Sequence, residues 1–191
     1  MDPATKPPSP RQEHLLEAAY RYVIDHGLAD ISLRPLAAAI GSSPRVLLYL
    51  YGSKEGLIRA LLERARAEEL TFLERARENV RMQDLASVMR TTWEWLAADE
   101  HRNVLTLWLE AYARSLIEPS GPWSGFARAT VDDWLQLLAE GQERMRRRSA
   151  AGAAARTAAL AVLRGALLDL LATGDRARTT AAVEAFASHQ R

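Results

Sequence analysis

The sequence predicts an all-α fold of about nine helices, with a three-helix helix-turn-helix domain at the N-terminus and a larger helical domain after it. Apolar residues recur at helical spacing along most of the 191 residues. Two short helical periods between residues 32 and 54 are separated by a glycine-containing turn. Near the C-terminus, two further segments are largely apolar. We therefore predict a disordered arm over residues 1–10, the helix-turn-helix domain over 11–52 and the second domain over 53–191.

The composition limits the possible classes of function. The chain contains no cysteine, which excludes disulfides and thiolate metal sites, and we predict neither a metal nor a cofactor. It has no apolar run long enough to span a bilayer and no N-terminal signal segment, which predicts a cytoplasmic protein without a membrane partner. The formal net charge is +1, and residues 1–55 carry six basic and six acidic side chains. Any binding to nucleic acid must therefore depend on a motif, because overall basicity is weak.

Each predicted helix of the N-terminal domain is bounded by residues that can cap or stop it. Serine hydroxyls accept hydrogen bonds from the first turn, proline is tolerated at the first helical position, and glycine stops a helix in the left-handed conformation. The first helix spans residues 11–26, and the next two form a helix-turn-helix, whose second helix can enter the major groove of DNA. The capping residues are Ser32, Ser43 with Pro44, and Ser53, and the stops are Gly27, Gly41 and Gly52.

Residues 11–75 resemble the N-terminal domain of the TetR (tetracycline-repressor-like) family of bacterial transcription regulators. The matching segments are HLLEAAYRYVIDHG (14–27), SLRPLAAAIG (32–41) and S-x-x-x-L-x-Y-x-Y-G-S-K-E-x-L (43–57). The resemblance covers about a third of the chain, and it implies a DNA-reading head joined to an effector-binding body.

Three residues depart from the usual pattern of that family. Leu48 stands where a phosphate-contacting Tyr is usual, Gly52 where Pro is common, and Arg45 where a small residue is common. These departures concern individual contacts with DNA and leave the module itself recognisable.

The resemblance also implies which residues contact DNA. Arg34 lies where the family often presents a base-reading residue, and an Arg there can pair bidentately with guanine; the alternative is a solvated helix charge. Lys54 matches a phosphate contact at a helix N-terminus. Tyr49 is either a contact with backbone or a thymine methyl or a core aromatic, and Tyr51 is predicted to be core. The predicted DNA-binding residues are Ser32, Arg34, Ser43, Pro44, Arg45, Val46, Tyr49 and Lys54.

The second domain begins with a long helix that carries alternating charges in its second half. Such charges are typical of a solvated face, and the length predicts a rod between the two domains. Residues 141–152 are left open as helix or loop. The other predicted helices span residues 53–79, 84–100, 101–117, 122–140, 153–172 and 179–189.

Aromatic residues are concentrated in three consecutive helices of this domain. All five tryptophans fall between residues 93 and 134. Small-molecule pockets are apolar and aromatic-lined, and the resembling family binds effectors in this region; the alternative is core packing. Glu94, Glu110 and Arg114 are candidate polar anchors, or else solvated charges. The predicted effector pocket consists of Trp93, Trp95, Trp108, Tyr112, Trp123, Phe126 and Trp134.

The last two helices predict a homodimer. A helix that is apolar nearly all round needs cover on more than one side, and little chain remains to supply it. The same pair from a second subunit would complete a two-fold four-helix bundle, as in the resembling family; the alternative is an intramolecular core. The predicted interface residues are Ala158, Ala161, Val162, Gly165, Leu168, Val183 and Phe186.

No catalytic motif is found, and the four histidines are scattered, so we predict that the protein is not an enzyme, with an all-α enzyme as the remaining alternative. The resemblance implies a sequence-specific transcriptional regulator, in the first instance a repressor that a small apolar or aromatic effector releases from a palindromic operator. An activator or a ligand-independent dimer is the alternative within that class. The alternative from another class is a helical ligand-binding or interaction protein whose head no longer binds DNA.

Overall fold

A computed structural model describes residues 9–28, 31–80 and 84–189, without the side chains of 76–80. Within these residues the fold is all-helical, as predicted, with ten α-helices and a short 3-10 turn at Asp99–His101. The helices are α1 (Pro10–His26), α2 (Leu33–Ala39), α3 (Pro44–Tyr51), α4 (Lys54–Val80), α5 (Leu85–Leu96), α6 (Arg102–Ile117), α7 (Phe126–Glu140), α8 (Arg144–Arg148), α9 (Ala150–Thr173) and α10 (Arg176–Ala187).

The caps of the first three helices largely follow the sequence. Ser43 accepts a hydrogen bond from the N–H of Val46 at 3.3 Å, with Pro44 at the first position of α3. At the start of α1, Ser9 accepts from the N–H of Gln12, so the helix begins inside the predicted arm, of which residues 1–8 lie outside the described residues. Ser32 differs from its prediction, because its hydroxyl accepts no capping bond from the first turn of α2 in the described part of the chain.

Several helix boundaries in the second domain differ from the predicted ones. The fifth helix ends at Leu96, because the chain turns there into the short 3-10 segment. The seventh begins at Phe126, after turns that end at Gly125 with a φ of 77°. Residues 141–152, for which the sequence left helix and loop open, contain α8 and the start of α9. Ser149 caps α9 by accepting a hydrogen bond from the N–H of Gly152 at 3.0 Å.

The chain divides into two compact units. The first contains the chain up to Arg66 together with Leu107–Gly125, and the second contains Ala67–Thr106 together with Phe126–Arg191. Both α4 and α6 therefore contribute residues to each unit. This division concerns packing, and the functional boundary between residues 52 and 53 stays a prediction.

Each unit has its own buried residues. In the first, α1 to α3 and the beginning of α4 contribute Leu15, Ala19, Tyr20, Val23, Leu36, Ala37, Leu47, Leu57 and Leu61. The core of the second unit is built by α5, α7, α9 and α10, with buried Val88, Met89, Leu96, Leu137, Leu138, Leu163, Leu167 and Val183.

Candidate DNA interface and aromatic cluster

The orientation of α3 is set by its buried inner face and by its two ends. Leu47 is fully buried in the head, and Gly52 ends the helix with a φ of 77°, a backbone conformation that favours glycine. The hydroxyl of Tyr51 donates a hydrogen bond to the backbone oxygen of Gln12 in α1 at 3.2 Å, and burial raises the pKa of that hydroxyl. Tyr51 therefore supports the head from inside, as predicted.

A close backbone approach at Gly56 joins α3 to α4. Its N–H donates to the Ser53 hydroxyl at 3.0 Å, which is the predicted cap of α4. A Cβ atom at Gly56 would overlap the backbone carbonyl oxygen of Tyr51. This role of Gly56 was not predicted, although a glycine in the first turn of a helix, where propensity disfavours it, is a signal of such an approach.

An ion pair and a cation–π contact hold α4 against α1. The Arg64 guanidinium donates to the Glu17 carboxylate at 2.8 Å and lies 4.5 Å from the ring centre of Tyr20. Tyr20 is fully buried, whereas Tyr22 is half-buried and stacks on His26.

The outer faces of α2 and α3 carry most of the predicted DNA-binding residues. Tyr49 is 86% exposed, so the alternative of a core aromatic is wrong, and the neighbouring Leu48 is 41% exposed. Ser32, Arg34, Ser43 and Arg45 are also exposed, whereas Pro44, Val46 and Lys54 are half-buried. These side chains are accessible to a partner, and their contacts with DNA stay a prediction.

The start of α4 combines charges of both signs. The pKa of Glu55 is lowered by hydrogen bonds from its own backbone N–H and from Ser53, and by the charges of Lys54 and Arg59. Its carboxylate therefore stays ionised beside Lys54 and partly offsets the positive charge of the helix N-terminus.

Glu110 of α6 contacts the loop after α1, within the first compact unit. Its carboxylate accepts a hydrogen bond from the N–H of Leu28 at 2.9 Å, next to Gly27 with its φ of 81°. Both earlier interpretations of Glu110, an effector anchor and a solvated charge, are replaced by this structural contact. Of the other two candidates, Arg114 pairs with Glu118 at 2.9 Å and Glu94 is exposed.

In the second unit, four aromatic rings and one carboxylate form a cluster, which we call the Trp95–Trp134 cluster. Phe72 stacks on Trp95 with ring centres 4.0 Å apart, and its centre lies 5.9 Å from that of Trp134. The His101 ring also stacks on Trp95, with ring centres 4.3 Å apart. The Trp134 indole N–H donates to the Glu69 carboxylate at 2.5 Å, and Glu69 is only 6% exposed.

The contribution of α4 to this cluster was not predicted. Glu69 and Phe72 lie in the half of α4 whose alternating charges predicted a solvated face. The local charge pattern was no guide here, since the burial of Glu69 depends on a tryptophan that lies 65 residues further along the chain.

The remaining predicted pocket residues have other surroundings. Trp93 is buried and its indole N–H donates to the Thr180 hydroxyl of α10 at 2.9 Å. Phe126 is buried in the second unit, and Trp123 is buried in the first. The rings of Trp108 and Tyr112 lie 5.4 Å apart in the first unit. A role of these residues in effector binding stays a prediction.

The predicted dimer residues do not share one environment. Ala158, Ala161, Gly165 and Leu168 are exposed along α9, whereas Val162 and Phe186 are half-buried. Val183 is 0% exposed, because its side chain packs into the core of its own chain rather than on the exposed face.

Ion pairs fix α10 against its neighbours. The Arg178 guanidinium donates two hydrogen bonds to Asp169 of α9, at 2.6 and 2.9 Å, which lowers the pKa of that carboxyl. Arg90 of α5 donates to Glu184 of α10 at 2.8 Å. The α9 helix, which has the exposed face, is thus fixed to α10 by the Arg178–Asp169 ion pair.

Two further searches of the described residues were negative. No group of three His, Asp or Glu side chains in the described ranges could hold a metal ion. In that same part of the chain, no helix combines the length and the apolar composition needed to cross a membrane.

An all-helical chain with an exposed, capped helix-turn-helix at its N-terminus has the features of a DNA-binding regulator. Residues 15–61 match the family model described as bacterial regulatory proteins, tetR family. This match confirms the resemblance of the N-terminal domain to the tetR family.

Solved structures confirm the fold across nearly the whole chain. A tetR-family regulator from Rhodococcus sp. is 16% identical, with a TM-score of 0.71 over 95% of this chain and 99% of that one. A transcriptional regulator from Saccharomonospora viridis, solved with choline, is 19% identical, with a TM-score of 0.73 over 93% of this chain and 95% of that one. The multidrug-binding protein EbrR, solved with proflavin, is 23% identical, with a TM-score of 0.64 over 92% of this chain and 99% of that one. No curated protein matches the chain.

Proposed function

We propose that the protein is a cytoplasmic homodimeric repressor that binds a palindromic operator and is released by a small apolar or aromatic effector. The observation that carries the proposal is the exposed outer face of α2 and α3, with Arg34, Arg45 and Tyr49, on a head of the tetR family. In a two-fold dimer, two such faces would enter successive major grooves about 34–36 Å apart.

The exposed face of α9 supports the dimer. Small residues or Leu lie on it at alternating steps of four and three, which is the spacing of a helix–helix seam. Apart from its chain neighbours and the nearby backbone of its own helix, no described atom lies within 4 Å of a Cβ atom built at Gly165, so the protomer itself has room for a side chain there. The exposed residues of this seam are Ala154, Ala158, Ala161, Gly165, Leu168 and Ala172.

Gly165→Leu tests the dimer without disturbing the protomer. We expect the substitution to leave the helical circular dichroism intact and to weaken association by at least about tenfold, because the larger side chain separates the facing helices. Ala113→Leu, at an exposed position of α6, is the matched control and leaves association unchanged. Light scattering at micromolar concentration that gives a monomer mass for the wild type overturns the dimer.

The Trp95–Trp134 cluster supports an aromatic effector. The stacked rings offer apolar contact, and the nearby Glu69 carboxylate favours a ring that carries positive charge. Proflavin and choline, which occupy the related structures named above, are suitable first probes. An effector acts as an inducer only if it binds better to the arrangement of the dimer that does not fit the operator.

Selection of bound DNA from a random-sequence pool at about 0.15 M salt tests the proposed function. We expect a two-fold symmetric site, and Arg34→Ala with Arg45→Ala abolishes the sequence preference while the dimer persists. The six basic side chains of residues 1–55 can neutralise only a few phosphates, which predicts a shallow dependence of affinity on salt.

The balanced charge of the head is also the observation that favours the second candidate, a helical ligand-binding or interaction protein without DNA binding. Folded dimer that recovers no site, with and without the probe compounds, favours this candidate and contradicts the repressor. In that case the double arginine variant behaves like the wild type in every DNA assay.

A further inference from the structure

An arginine, a leucine and a tyrosine share one exposed face of α3. Arg45, Leu48 and Tyr49 are separated by three and four positions, so they are neighbours on the helix surface. The opposite side of the helix is anchored by the buried Leu47. A single exposed apolar side chain is ordinary, but Leu48 and Tyr49 are both exposed and both lie one turn from Arg45 on the same helix.

The chemistry of Leu48 restricts what it can contact. Its side chain has no hydrogen-bonding group, so it gains nothing from a phosphate and would desolvate a polar base edge without compensation. Tyr49 differs, because its hydroxyl can donate to a phosphate. The one apolar group on the base edges of the major groove is the C5-methyl group of thymine.

We propose that Leu48 reads the C5-methyl group of one thymine in each half-site of the operator. This inference rests on the proposed function, since it requires α3 to lie in the major groove. It assigns to Leu48 a role in sequence preference rather than in positioning on the phosphate backbone. Arg45, one turn before it, contacts a neighbouring base or phosphate.

The test removes one methyl group at a time from the DNA. In the operator obtained by selection, each symmetry-related pair of thymines is replaced by deoxyuridine, which pairs identically but lacks the methyl group. Binding of the full-length protein is measured by fluorescence anisotropy at about 0.15 M salt. For wild type we expect one thymine pair whose replacement weakens binding about tenfold, because two half-sites each lose a buried methyl contact.

Variants assign that loss to Leu48. Leu48→Ala binds the thymine and deoxyuridine operators equally, whereas Tyr49→Ala weakens binding to both in the same proportion. The matched control is Leu116→Ala, which shortens an exposed leucine outside the head and leaves the discrimination unchanged. Circular dichroism and melting confirm that the variants fold, as expected for changes at exposed positions.

Each result supports or overturns the inference. A thymine-sensitive position that disappears in Leu48→Ala supports it. An operator that the wild type binds equally well with deoxyuridine at every position overturns it and leaves the repressor standing. Discrimination that persists in Leu48→Ala overturns it as well. Failure to select any operator overturns the repressor itself, and this inference with it.

Discussion

Gly56→Ala is the perturbation whose effect the structure defines most sharply. Gly56 lies in the first turn of α4, directly against the last carbonyl group of α3. Ala is normally preferred over Gly in a helix by roughly 0.5–1 kcal/mol. Propensity alone therefore predicts that this substitution stabilises the protein.

The added methyl group at Gly56 would overlap the backbone oxygen of Tyr51, which cannot rotate away as a flexible side chain could. Inserting a methyl group into a packed site typically costs roughly 1–3 kcal/mol. After the gain in propensity, we expect a net loss of about 1–2 kcal/mol in the free energy of unfolding. For a chain of this size, that lowers the Tm by roughly 3–6 °C.

Calorimetry and urea denaturation measure the loss at one fixed protein concentration, since the proposed dimer would melt in a concentration-dependent way. Glu63→Ala, an exposed change on the same helix, is the control and stays within about 0.5 kcal/mol of the wild type. A Gly56→Ala protein as stable as the wild type, or more so, refutes the close approach between α3 and α4.

Three further predictions concern polar contacts. Trp134→Phe keeps a ring but removes the N–H that donates to Glu69. We expect urea denaturation to show a loss of about 1–3 kcal/mol in the free energy of unfolding, and a loss below about 0.5 kcal/mol contradicts the contact. Glu110→Ala leaves the loop N–H without its carboxylate, which lowers the same free energy by about 1–2 kcal/mol, and an unchanged denaturation midpoint would argue against that bond. Because hydrogen bonds from Arg178 lower the pKa of Asp169 from its ordinary 3.8, their stabilisation is present above that pH and is lost as the pH falls below about 4. Asp169→Asn therefore flattens the acid side of the stability profile measured by thermal melts, and a profile identical to that of the wild type contradicts the pair.

Local signals in the sequence were sufficient for the head and for most helices. A capping serine, a proline at a first helical position and a terminal glycine act on neighbouring N–H and C=O groups, so their effect is readable without the fold. Ser43 and Gly52 behave as predicted for this reason. The apolar period likewise identified α9 as a helix that needs cover on several sides.

Contacts between different helices could not be predicted from the sequence. Glu69 lies in a charged run and is nevertheless buried, because Trp134 supplies a donor. Gly56 has no special backbone angle, and its constraint comes from the carbonyl group of Tyr51. Val183 was assigned to the dimer face but lies in the core of its own chain. The sequence by itself determined most of the helices, several of their caps and the approximate position of their apolar faces. Only the tertiary structure decided which partner covers each face, because burial depends on groups that folding brings together.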